Sequence, residues 1–140
     1  MLVRYSYTNK KVKQQIDEAV GKSYSLLQRL KMNGNGSQRF SVISVNDEII
    51  RILSSKSTSD PYINIELRPN GIIVHFRVRL DNWALVLPYH TLSIFSQDNQ
   101  LNLYSGEWKL QLGPYRKAPL RRDFIQKVLQ LKAECQQPIG

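Results

Sequence analysis

Apolar and polar residues alternate through most of the chain between Tyr62 and Leu112. In Gly71–Leu80, Ile72, Val74, Phe76, Val78 and Leu80 fall on one side, and Ile73, His75, Arg77 and Arg79 on the other. Successive side chains of a strand point to opposite faces, so this period of two predicts a strand with one face in a core and one in water. Tyr62–Arg68 repeats it, with Ile63, Ile65 and Leu67 inward and Asn64, Glu66 and Arg68 outward. Arg68-Pro69-Asn70-Gly71 between them predicts a hairpin turn, because proline presets one turn dihedral and Asn and Gly tolerate positive φ. Asp81-Asn82 is expected as the next tight turn. It leads into a strand with Trp83, Leu85 and Leu87 inward, which Pro88 ends because it has no N–H for the ladder. Leu92–Phe95, Leu101–Tyr104 and Glu107–Leu112 follow, with turns at Gln97-Asp98-Asn99 and Ser105-Gly106. Connections this short hold no crossover helix, so neighbouring strands are expected to be antiparallel.

Both ends read as helix. Thr8 or Asn9 can cap a helix to about Lys31, with Val12, Ile16, Ala19, Val20, Leu27 and Leu30 as one apolar stripe. Gly21 weakens its middle by roughly 1 kcal/mol relative to alanine. Asn33-Gly34-Asn35-Gly36-Ser37 predicts a helix stop or a flexible linker. Near the other end Pro119 suits a first helical turn. Leu120, Phe124, Val128 and Leu131 mark a face that Ile125 and Leu129 widen, in a helix to about Glu134 before Pro138. Phe40–Leu53 fits two strands, from the β-branched content of Phe40–Val45. It also fits a strand followed by a short helix capped near Asn46-Asp47-Glu48; the two-strand reading is preferred. Ser54–Asp60 reads as a loop. The fold class is α+β: an antiparallel strand meander, as a bent sheet or a barrel, between an N-terminal and a C-terminal helix.

With 140 residues the chain has room for one core, so a single domain is expected over residues 1–140. Within it, residues 1–38 form a basic helix and Gly/Asn linker, and residues 40–135 the sheet and last helix. No apolar run approaches the ~20 residues a membrane-spanning helix needs. Met1-Leu2-Val3-Arg4-Tyr5 lacks the apolar region of a signal peptide, and the single cysteine, Cys135, has no internal disulfide partner. These features point to the cytoplasm.

Charge changes the picture. The formal net charge is +9. Residues 1–39 carry eight Lys/Arg against Asp17 and Glu18, whereas residues 40–115 carry six against seven acids. Arg116, Lys117, Arg121, Arg122, Lys127 and Lys132 then face only Asp123. The sheet is therefore nearly neutral and both helical ends are basic. Basic ends suit an anionic partner, although the same residues also simply solvate the outer faces of two amphipathic helices.

Chemistry-bearing constellations are sparse. His75 and His90 are the only histidines, and Cys135 lies far from both. Metal sites want clustered ligands, so no metal is expected. No nucleophile elbow occurs, and Asp17-Glu18 and Asp47-Glu48 are adjacent pairs on no obvious cleft strand. The glycines of Asn33–Ser37 follow a helix and lack a phosphate-loop lysine. The expected protein is non-catalytic and carries no cofactor.

Trp83-Ala84-Leu85-Val86-Leu87-Pro88-Tyr89, with Leu92 and Ile94, then Trp108–Leu112 and a helix starting near Phe124-Ile125, resembles the bacterial pleckstrin-homology-like and GRAM-type domains. The resemblance covers residues 40–133. It implies a bent seven-strand barrel with the C-terminal helix across one open end, on a scaffold that binds lipids or proteins. Residues 1–38 have no counterpart in a minimal domain of that kind. Its phosphoinositide-binding members carry basic residues around the first hairpin loop, where Ser54–Asp60 here holds only Lys56, so specific phosphoinositide recognition is not implied.

Three partner classes follow. One is a protein, including a second copy of the chain as a homodimer, taken by the N-terminal helix or a sheet edge. Another is nucleic acid, on Arg77 and Arg79 with Tyr62 and Tyr104 as stacking surfaces, although no RNP-like motif is present. The third is anionic lipid headgroups. Lys10, Lys11 and Lys13 sit at a helix start, where the dipole disfavours them. With Arg77, Arg79, Arg116, Lys117, Arg121 and Arg122 they make the candidate anion-binding set.

Overall fold

The computed structural model describes residues 1–5, 9–54 and 61–136. The elements run β1 (Leu2–Tyr5), α1 (Lys10–Val20), α2 (Leu26–Lys31), β2 (Phe40–Ser44), α3 (Asp47–Ser54), β3 (Ile63–Arg68), β4 (Gly71–Val78) and β5 (Asp81–Pro88). A 3-10 turn (Tyr89–Thr91), β6 (Leu92–Gln97), β7 (Gln100–Ser105), β8 (Trp108–Pro114) and α4 (Arg122–Gln136) complete them. The fold is α+β. One eight-stranded antiparallel sheet has the order β1-β5-β4-β3-β2-β8-β7-β6 and is not closed, so β1 and β6 are its edges. β3-β4-β5 and β6-β7-β8 are each a meander joined by tight turns, and β2 links them.

The alternation predicted for the strands sorts the two faces. Ile63, Ile65, Leu67, Ile72, Val74, Phe76, Leu85 and Leu87 enter the main core with Leu101, Leu103, Leu110 and Leu112. Ile49 of α3 and Phe124 and Val128 of α4 cover that face. The opposite face carries a second, smaller core that the alternation does not reveal. There Ile16 and Val20 of α1 bury Ile73, Ala84 and Val86. Ile73 was expected to face water; α1 is what covers it.

Four local expectations are corrected. The N-terminal helix is not continuous to Lys31. It ends at Gly21, which takes φ 87°, and the chain restarts at Ser25, where Ser25 and Gln28 form a reciprocal capping box. Asn9 caps α1 as expected, its carboxamide accepting from the Val12 N–H at 3.2 Å. Second, Phe40–Leu53 is a strand and a helix, not two strands. Asn46 takes the place of a further strand residue: its carboxamide accepts from the Lys109 N–H at 2.7 Å and donates to the Glu107 carbonyl at 2.8 Å. The chain then turns into α3, with Asp47 and Glu48 in the first turn and Arg51 in the last, as the helix dipole favours. Third, the β4–β5 turn falls at Arg79-Leu80, not Asp81-Asn82. Cross-strand pairs such as Phe76↔Trp83 and Val78↔Asp81 hold that register, and Arg79 takes φ 59°. Leu80, expected inward, is 84% exposed at the tip. Fourth, Pro119 precedes α4, which begins at Arg122.

Asn33–Ser37 combines the helix stop with pairing along β3. Gly34 closes α2 by donating to the Arg29 carbonyl at 2.7 Å. The Leu67 N–H then bonds the Asn35 carbonyl and the Ser37 N–H bonds the Ile65 carbonyl, so the segment is pinned to the sheet. The loop expected at Ser54–Asp60 lies outside the described residues from Ser55 onward; Ser54 itself ends α3.

Candidate functional site

The nine cations singled out from the sequence do not gather. Lys10, Lys11 and Lys13 lie on the exposed side of α1, which packs on one face of the sheet. Arg121 and Arg122 stand at the start of α4, which covers the other face. Arg121 faces Asp123 at 3.5 Å in the open. Arg116 and Lys117 follow β8 with positive φ, and the Arg116 guanidinium lies over the Tyr115 ring at 5.1 Å. Arg77 projects from β4 and Arg79 sits in the turn beyond it. Tyr104, expected with Tyr62 as a stacking surface, stacks on Phe95 of β6 instead. Tyr62 and Arg77 do line one concavity.

The corner of the fold at α2 holds a feature that the periodicity of the sequence hides. Leu26, Leu27 and Leu30 were in part assigned to a buried stripe, yet they are 70%, 62% and 68% exposed. The break at Gly21 is the cause, because α2 no longer continues the buried face of α1. Tyr24 and Met32, on either side of α2, pack against the main core and hold the short helix in place. At 100° per residue the three leucines span one stripe, and Arg29 and Lys31 border it on opposite sides. Lys127 of α4 reaches the same corner, donating to the Asn33 carbonyl at 3.2 Å. Residues 19–46 contain no Asp or Glu, a signal that was available in the sequence.

A second feature is a groove of about 500 Å³ on the α1 face of the sheet. Its floor is Asn64 and Glu66 of β3 with Ile73 and His75 of β4. A hydrogen-bonded charge network closes one end. Arg68 is 8% exposed and donates through Nε to Glu66 Oε2, and through Nη1 to Asp17 Oδ1 at 3.1 Å and the Gly21 carbonyl at 2.8 Å. His75 Nε2 lies 2.8 Å from Glu66 Oε1. Burial works against the Glu66 charge, but the hydrogen bonds from His75 and Arg68 outweigh it and hold this carboxyl below the usual range. The Tyr89 hydroxyl supports the same place from the main core, donating to the Arg68 carbonyl at 2.9 Å, and burial raises its pKa.

His90 is exposed in the 3-10 turn, apart from His75. Cys135 is exposed and its thiol lies 3.7 Å from the Asn70 carboxamide oxygen. Among the described residues no three His, Cys, Asp or Glu side chains group as metal ligands, and no helix is long and apolar enough to cross a membrane. No protein-family model, no curated protein and no solved structure matches this chain.

Proposed function

We propose that this protein is a non-catalytic interaction module that attaches reversibly to an anionic membrane surface through α2. The observation that carries the reading is the stripe of Leu26, Leu27 and Leu30 bordered by Arg29 and Lys31, on a helix flanked by Tyr24 and Met32 that pack on the core. Apolar side chains between two rows of cations suit the boundary between acyl chains and anionic headgroups. Burying what is exposed of three leucines contributes roughly 3–5 kcal/mol. Arg29 and Lys31 add roughly 1 kcal/mol each near an anionic leaflet. Gross energies of that size support an attachment that forms and releases, not permanent anchoring.

The same stripe invites self-association, the homodimer reading. Charge argues against it: two copies meeting through α2 bring Arg29 and Lys31 of one against like charges of the other. A nucleic acid is less well served, because exposed leucines add nothing on a phosphate backbone.

Co-sedimentation with vesicles tests the proposal. Binding is expected to phosphatidylcholine vesicles containing phosphatidylserine, and little to phosphatidylcholine alone. It should fall as NaCl rises from about 50 mM to about 500 mM. Leu27→Ser with Leu30→Ser should remove it while the thermal midpoint stays put, since neither side chain is buried. No association with anionic vesicles at low salt would sink the reading. So would a concentration-dependent dimer, seen by light scattering, that the same two substitutions dissolve.

A further inference from the structure

We propose that the groove on the α1 face of the sheet is a binding site for a small organic anion, whose carboxylate or phosphate group is taken by Arg39 and Arg77. Both oxygens of Glu66 are engaged, one by Arg68 and one by His75, and Asp17 is engaged by Arg68. The acids are therefore committed. Arg39 and Arg77, which also line the groove, pair with no carboxylate among the described residues. What the groove offers a visitor is net positive.

Both guanidiniums are nevertheless held in position. Arg39 stacks on the Tyr62 ring at 4.3 Å, and Tyr62 packs in turn on Tyr115, with centroids 5.5 Å apart. Stacking uses the face of the guanidinium, and its in-plane N–H donors have no partner among the described residues. Arg77 donates through Nε to the Arg79 carbonyl at 3.0 Å, which fixes the side chain, and its terminal nitrogens have no partner among the described residues. Planar donors fixed in advance suit the paired oxygens of a carboxylate or phosphate.

The rest of the lining selects for size and polarity. Asn64 and Asn82 line the same groove, and neither carboxamide has a protein partner among the described residues. Each offers donors and an acceptor to hydroxyl, amide or ring-nitrogen groups. A volume of about 500 Å³ fits a ligand of metabolite size. This site is separate from the α2 leucines and stands or falls without them.

Titration of the isotope-labelled protein, followed by NMR on the Asn64 and Asn82 side-chain NH₂ groups and the Arg77 Nε–H, tests the site. The probes are citrate, inorganic phosphate and adenosine monophosphate. At least one should shift those signals saturably, with a Kd below about 1 mM, and the responding probe tells a carboxylate from a phosphate ligand. Arg77→Gln should weaken binding at least about tenfold. Asn82→Asp should do the same by placing a like charge beside the anion. Arg77 is exposed and Asn82 half-buried, so both variants are expected to keep the wild-type thermal midpoint. The proposal is overturned by the absence of any saturable shift up to about 10 mM of each probe. It is equally overturned by unchanged affinity in Arg77→Gln, or by saturable shifts confined to residues outside the groove.

Discussion

Replacing Arg68 by methionine is expected to destabilise the protein by about 3 kcal/mol, the range for removing one partner from a buried ion pair. Methionine keeps much of the apolar stem and removes the guanidinium. Three hydrogen bonds disappear together, to Glu66, Asp17 and the Gly21 carbonyl, and with them the tie between β3 and the end of α1. The side chains of Glu66 and Asp17 are 23% and 22% exposed, so water rehydrates them in part and the loss belongs at the lower end of that range. With a urea m-value of about 2 kcal/mol/M, the unfolding midpoint should fall by about 1.5 M. Arg68→Lys keeps the charge but not the fork and should lose about half as much. Adding Glu66→Gln to Arg68→Met should recover about 1 kcal/mol by neutralising the stranded carboxylate. A midpoint drop of less than about 0.3 M would place Arg68 among ordinary surface substitutions and refute its role as the tie.

Other outcomes follow from neighbouring contacts. In Gly71→Ala the new Cβ would stand 2.5 Å from the Leu87 carbonyl oxygen and 2.8 Å from Pro88 Cα, and would meet the Val20 side chain as well. Overpacking of that kind costs about 2–3 kcal/mol and should lower the thermal midpoint by about 6–10 °C; a shift under about 2 °C would contradict the packing. Tyr89→Phe removes the buried hydroxyl on the Arg68 carbonyl and should cost about 1–2 kcal/mol by urea unfolding, with no loss taken as refutation. Because the Glu66 pKa is lowered in the folded state, its contribution is full above the unfolded value of about 4.3 and is lost as pH falls through the folded value. Urea midpoints measured from pH 7 down to pH 3 should therefore fall less steeply in Glu66→Gln than in wild type, and parallel curves would remove the linkage.

The strands from β3 to β8 were legible because their alternation is local and strict, whereas the four-residue β1 was not foreseen. Ile63–Arg68 and Gly71–Val78 show it residue by residue, and Pro69-Asn70 between them leaves little choice of turn. Arg79-Leu80 was not legible, since both residues continue the alternation while Asp81-Asn82 carries turn chemistry. Only pairing with β5 decides the register. Leu27 and Leu30 repeat at the same spacing as the buried residues of α1, and periodicity cannot say that a glycine between them re-aims the stripe. The second core escaped for a related reason: Ile73 and Ala84 occupy outward positions that only a helix arriving from the N-terminal side makes dry. Of the groove, Asn64 and Arg77 were visible as outward strand residues. Arg39 and Asn82 carry no sequence signal, because their meeting depends on how β2, β4 and β5 come together. The basic ends were legible as composition, and their separation onto opposite faces of the sheet was not.

β2 meets β3 through a single register pair, Phe40↔Ile63, while it runs along β8 from Phe40↔Pro114 to Ser44↔Gln111. Beside that pair, Ser37 and Asn35 carry the pairing further along β3. Each meander closes through short turns, but the β2–β8 ladder joins Phe40 to Pro114 and the β1–β5 ladder joins Leu2 to Leu85. Loop closure of that length makes both ladders late events in folding. The two meanders are expected to acquire amide-exchange protection first, and the β1 and β2 amides last.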